Sequence, residues 1–133
     1  MQHKSVVVFV TDRSDCLRLV RHGKKLAEQH DCTLQVVSIQ STCKLSTFAL
    51  DELQLLYNST KRLGGEMTIL FSRDTALTAA VAAKKLRAIH IVSGMPKHTF
   101  VDEVRLLLPE IPWTAVDSNN RAATFPPIPI GIH

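Results

Sequence analysis

Residues 5–14 read Ser-Val-Val-Val-Phe-Val-Thr-Asp-Arg-Ser, and this stretch decides the fold. Val6 to Val10 is a continuous apolar run rich in β-branched side chains, without the polar alternation of a strand that has one wet face. Such a run fits a strand buried on both faces, which is the environment of a parallel sheet. The strand is expected over Ser5–Thr11, and Thr11-Asp12-Arg13-Ser14 then turns the chain. Asp12 or Ser14 can cap the next helix with a side-chain oxygen. That helix is expected to run to about Gln29, because Cys16, Leu19, Val20, Gly23, Leu26, Ala27 and His30 recur at helical spacing.

The same alternation continues outward. Strands are expected at Thr33–Ile39, Glu66–Phe71, Ala88–Ser93 and Trp113–Val116. Helices are expected at Phe48–Leu63, Thr75–Leu86 and about Thr99–Leu108. Ser46 or Thr47 caps the second helix, with Ala49, Leu53, Leu56, Tyr57, Thr60 and Leu63 inward. Gly64-Gly65 ends it in the left-handed region. Asp74 caps the third helix. Phe100, Val104, Leu107 and Leu108 face inward on the fourth, which Pro109 stops. Strand-helix alternation requires crossover connections and a sheet covered on both faces. The expectation is one α/β domain over residues 1–117, a three-layer α/β/α sandwich with a five-stranded parallel sheet. Residues 118–133, with prolines at 126, 127 and 129, read as an extended tail. It can stay loose, add to a sheet edge or dock on a second subunit.

Composition narrows the class. The chain has 133 residues, 45% hydrophobic and 21% charged, which excludes disorder as the main state. Aromatic residues are 5%, so the core is aliphatic. No apolar run approaches the roughly 20 residues that span a bilayer, and the start lacks a signal-peptide pattern. A cytoplasmic location without membrane insertion is therefore expected. The net charge of +4 comes with no long basic run, so nucleic acid is not an expected partner, while small anions are. Three cysteines without a Cys-x-x-Cys spacing, and six scattered histidines, point to reduced thiols and to no metal site.

In an open parallel sheet, ligands bind beyond the carboxyl ends of the strands, where the strand order reverses. The candidate residues are therefore Thr11, Asp12, Arg13 and Ser14 after strand one, and Ser38 and Ile39 after strand two. Ser93, Gly94 and Lys97 follow strand four. Helix starts after Ser14, Asp74 and His98 offer free N–H groups suited to a phosphate. Asp12 is either a helix cap or a ligand for a ribose hydroxyl, a metal or a base amine.

The ordered pieces Val10-Thr11-Asp12-Arg13-Ser14, Gly23-Lys24-Lys25-Leu26-Ala27, Leu34-Gln35-Val36-Val37-Ser38-Ile39 and Ile91-Val92-Ser93-Gly94, with Pro112 before the last strand, resemble the universal stress protein family. Arg21, His22 and Gly23 add a likeness to the stress-protein-like module of bacterial potassium-sensing histidine kinases. The resemblance covers about residues 4–117. It implies the adenine nucleotide alpha hydrolase-like fold, an adenine nucleotide as the ligand to test, and a homodimer formed through strand 113–116 and tail 118–133. ATP-binding members carry a glycine-rich phosphate loop after strand four, Gly-x-x-Gly followed later by Gly-Ser. Here Gly94 is followed by Met95-Pro96-Lys97-His98, and no glycine returns before Gly131. The resemblance therefore implies an adenosine-side pocket from Asp12 and the backbone near Ile39, without the standard phosphate cradle.

Other readings of an α/β chain fit less well. A receiver domain needs a second acidic residue beside Asp12 and a lysine after strand five. A cysteine phosphatase needs Cys-x5-Arg, whereas Arg21 falls one position short of that spacing from Cys16. Walker A and Gly-x-Gly-x-x-Gly patterns are missing from the sequence. No catalytic residues are assigned. Two functions remain: a regulatory module that binds a nucleotide in an altered pocket, and an interaction domain that binds none and acts as a homodimer or accessory unit. Asp12 favours the first, and the lost glycine loop favours the second.

Overall fold

A computed structural model describes residues 3–41, 44–95 and 99–129. The strands are β1 (Ser5–Val10), β2 (Thr33–Gln40), β3 (Glu66–Phe71), β4 (Ala88–Gly94), β5 (Trp113–Val116) and β6 (Ala122–Phe125). The helices are α1 (Leu17–Gln29), α2 (Thr47–Arg62), α3 (Thr75–Lys85) and α4 (Phe100–Leu107). All lie in or on one sheet of order β3-β2-β1-β4-β5-β6. β1 to β5 pair in parallel, with Val8 opposite Val36 of β2 and Val92 of β4.

The Val6–Val10 run lies at the centre of the sheet and is buried throughout. Its side chains alternate between two cores, as a strand's must. Val6, Val8 and Val10 pack with Leu19, Val20 and Ala27 of α1 and with Leu53 and Leu56 of α2. Val7 and Phe9 pack on the other face with Ala76, Ala79, Ala80 and Ala83 of α3 and Val104 of α4. The alanines let α3 sit close to the sheet. Gly23 does the same for α1: a Cβ there would fall 2.2 Å from Val8 Cγ2. Two inward expectations are corrected. Tyr57 and Leu107 are exposed, because the faces of α2 and α4 that meet the sheet are narrower than the apolar pattern.

Helix ends mostly follow local chemistry. Ser46 caps α2 by accepting from Ala49 N–H, and Asp74 caps α3 by accepting from Leu77 N–H. Gly64 has φ of +81°, and the N–H groups of Gly64 and Gly65 reach back to the carbonyls of Lys61 and Thr60. That is a Schellman closure of α2. The start of α1 differs from expectation. A 3-10 turn over Ser14–Cys16 precedes it, and Cys16 at its N-cap makes no side-chain capping bond.

The sheet has six strands, not the expected five. The additional strand lies in the tail, which takes the sheet-edge course among the three left open. β6 pairs antiparallel with β5, Trp113 opposite Phe125 and Thr114 opposite Thr124. The turn between them is built by Asp117, whose Oδ1 accepts from the N–H groups of Asn119 and Arg121. Asn120 then adopts a positive φ of 64°, a conformation asparagine tolerates better than most residues. Four further contacts hold the strand and the segment after it. His22 of α1 hydrogen-bonds Asn120 at 3.0 Å, Arg105 of α4 lies 4.9 Å over the Phe125 ring and donates to Pro126 O, and Ile128 N–H donates to Pro109 O. With β6 in place, the outer main-chain edge of β5 is filled from within the same chain. In the dimer contact expected through 113–116 and tail 118–133, the β5 edge is thus already paired with β6 of the tail.

Candidate functional site

The strand order reverses at β1, which feeds β2 on one side while β4 lies on the other. Connections on the two sides leave in opposite directions, and a crevice opens between the carboxyl ends of β1 and β4. A cavity of about 390 Å³ lies there. Its walls come from the end of β1 (Phe9, Val10), the start of α1 (Cys16, Arg18, Leu19), and the ends of β2 and β4 (Ile39, Ser93, Gly94). Met95, Thr75 at the start of α3, Phe100 at the start of α4, and Thr11, Arg13 and Asp15 before α1 complete it.

Of the expected residues, Thr11, Arg13, Ile39, Ser93 and Gly94 line this cavity. Thr11 Oγ1 lies 3.4 Å from Cys16 Sγ, which closes the turn beneath the cavity. Arg13 is exposed and faces Asp15 at 3.8 Å. Ser93 is buried; its Oγ accepts from Trp113 Nε1 at 2.9 Å and donates to Gly94 O. Asp12 is half-buried and is not among the lining residues. Ser38 is fully buried beneath the surface, accepting from Gln40 Nε2, and also does not line it. The backbone of Ser14 belongs to the 3-10 turn before α1. Lys97 lies outside the described residues.

Sequence reasoning missed most of the apolar wall and the best-placed cation. Phe9, Phe100 and Trp113 form a cluster with centroids 5.9–6.4 Å apart, Phe9 stacked on Trp113 and Phe100 edge-on to both. Phe9 and Phe100 bring this aromatic surface into the cavity. The alternation of Val7 and Phe9 already placed Phe9 at the end of a buried strand, so that signal existed. Arg18 lies off the apolar stripe that the helical spacing of α1 marks. It is half-buried instead, and its Nη1 donates to Val116 O at 3.0 Å across the end of β5. The fork leaves further N–H groups beside Gly94, where Nη2 would lie 4.0 Å from an added Cβ. The cavity thus combines aromatic and aliphatic walls with the Arg18 guanidinium at the side nearest β5 and the Arg13–Asp15 pair at the rim.

Other chemistry-bearing groups are elsewhere. His90 on β4 is buried, and its Nε2 lies 2.7 Å from Thr114 Oγ1, which lies 3.3 Å from Thr124 Oγ1 of β6. Burial holds the His90 imidazole below its ordinary value, with His30 adding to the effect. No group of three or more His, Cys, Asp or Glu among the described residues is placed to hold a metal ion. No helix among the described residues is long and apolar enough to cross a membrane.

No known family profile matches the sequence, and no curated protein matches it. Solved structures do match. The universal stress protein of Archaeoglobus fulgidus in complex with dAMP superposes with a TM-score of 0.57 at 19% identity, over 80% of this chain and 92% of that one. Another structure of the A. fulgidus universal stress protein gives 0.61 at 19% identity, over 80% and 88%. A universal stress protein family member from Burkholderia pseudomallei gives 0.56 at 16%, over 84% and 95%. At these identities the likeness speaks for architecture. This chain has the α/β fold of the universal stress proteins, and its sheet ends in an antiparallel strand on the β5 side.

Proposed function

We propose that this protein is a regulatory ligand-binding module that takes an adenine nucleotide in the cavity at the carboxyl ends of β1 and β4. The observation that carries the reading is the cavity's composition. An apolar surface from Phe9, Phe100 and Ile39 suits a base, and the guanidinium group of Arg18 suits an anion. The dAMP complex of the A. fulgidus structure supports the choice of ligand class. The reading assigns no catalytic step, since the lining residues offer no nucleophile paired with a general base.

Thermal unfolding with and without AMP, ADP and ATP tests it. A ligand at about 100 times its dissociation constant stabilises the fold by roughly 2.7 kcal/mol. Ile39→Trp fills the cavity and is expected to abolish the shift. Asp12→Ala, outside the cavity, is expected to keep it. A chain that shows no shift with any of the three nucleotides is not a nucleotide-binding module.

A further inference from the structure

We infer that Arg18 is the anion-binding group of this cavity and that it makes the site selective for a nucleoside monophosphate over the triphosphate. The inference rests on the nucleotide reading above and adds to it the ligand's charge and the residue that reads it. Arg18 is placed for this in three ways. It stands in the first turn of α1, so its charge adds to the positive end of the helix. Its Nη1 is held by Val116 O at 3.0 Å, which fixes the plane of the fork without neutralising it. None of the ion pairs Arg13–Asp15, Lys61–Glu66 and Lys84–Glu110 involves Arg18. A half-buried guanidinium anchored by a neutral carbonyl keeps its net charge and its remaining donors for an anion.

The selectivity follows from space and from the cations that the described residues place at the cavity. At about 390 Å³ the cavity is near the small end of ligand sites, which run from about 300 to 1,000 Å³. The Phe9–Phe100 wall for a base and the Arg18 fork for a phosphate line the same small cavity. The only other arginine or lysine lining the cavity among the described residues is Arg13, which is exposed and already faces Asp15. A β- or γ-phosphate would have to extend toward that acidic side chain. Asp15 thus works against longer phosphate chains, and Arg18 works for the first one.

Isothermal titration of the intact chain with adenosine, AMP, ADP, ATP and inorganic phosphate tests this. The expected order has AMP tightest, with ADP, ATP and adenosine each weaker. Arg18→Gln is expected to weaken AMP about ten- to hundred-fold, to the level of adenosine, while leaving adenosine unchanged. Because Arg18 also ties α1 to β5, Gly94→Asp serves as a second variant. It keeps Arg18 and sets a carboxylate beside Nη2, and the same selective loss of AMP is expected. ATP binding as tightly as AMP, or an Arg18→Gln loss shared equally by adenosine and AMP, overturns the inference and leaves the nucleotide reading standing. Binding of none of the nucleotides removes that reading as well.

Discussion

Replacing Gly23 with alanine isolates the contact that seats α1 on the sheet. In an exposed helix this change would be favourable by about 1 kcal/mol, since glycine is the poorer helix former. Here the new methyl would lie 2.2 Å from Val8 Cγ2 and 3.1 Å from Leu34 Cδ1. Val8 is completely buried on the central strand, and a valine has few rotamers with which to yield. Overpacking of this kind costs about 1–3 kcal/mol, and the fixed neighbour puts it at the upper end. The net loss is therefore about 2 kcal/mol, a large part of a domain's usual 5–15 kcal/mol. Val8→Ala alone leaves a cavity and costs about 2 kcal/mol. In the double variant the methyl of residue 23 enters the space vacated by Val8. The pair is expected to lose only about 1 kcal/mol, a coupling of about 3 kcal/mol. Urea unfolding of the four proteins measures each value. A stable Gly23→Ala, or strictly additive losses in the double variant, would refute the close approach of α1 to β1.

Three further outcomes can be checked. His90 is held neutral by burial, so the folded chain binds fewer protons there than the unfolded chain, whose imidazole titrates near 6.5. Its contribution is complete above that value and is lost as the pH falls through the depressed folded value; His90→Asn is expected to flatten stability between pH 7 and 5 in urea titrations, and an unchanged slope would count against the mechanism. Trp113 is the single tryptophan and is 1% exposed, against Phe9 and Phe100, so AMP binding is expected to change its emission, while a bound ligand that leaves it unchanged would lie elsewhere. Removing residues 118–133 strips the outer edge of β5 and is expected to raise self-association in light scattering, and a truncated chain of unchanged size would show that β6 shields nothing.

Most of the sheet was legible because its strands are buried on both faces and bounded by clear turns. The caps Ser46 and Asp74 and the stop at Gly64 were legible because each acts through its own neighbours. β6 was harder. Ala122-Ala123-Thr124-Phe125 is short, weakly alternating and followed by prolines, and it becomes a strand only because β5 offers an edge. The Asp117-Ser118-Asn119-Asn120 turn was the available signal, since aspartate and asparagine favour that geometry. The cavity followed the same division. Topology located it through Thr11, Ser93 and Gly94, but Asp12 fell outside its lining, because a turn residue's direction is set by the 3-10 start of α1. Arg18 escaped notice because its partner, Val116 O, is a backbone atom far along the chain, and no spacing rule reports such a contact.

The order of the strands also sets an order of events. β1 is made first, yet one of its two neighbours, β4, begins only at Ala88. During synthesis the emerging chain therefore carries β1 as a temporary sheet edge, with β2 on one side and nothing in register on the other. This buried apolar segment stays open to wrong pairing until β4 has been made. β6 is the opposite case, joined to β5 by one tight turn and able to pair as soon as it appears. Slow completion at the centre and rapid closure at the rim are what this connectivity imposes on folding, since distant pairings carry the larger loop-closure cost.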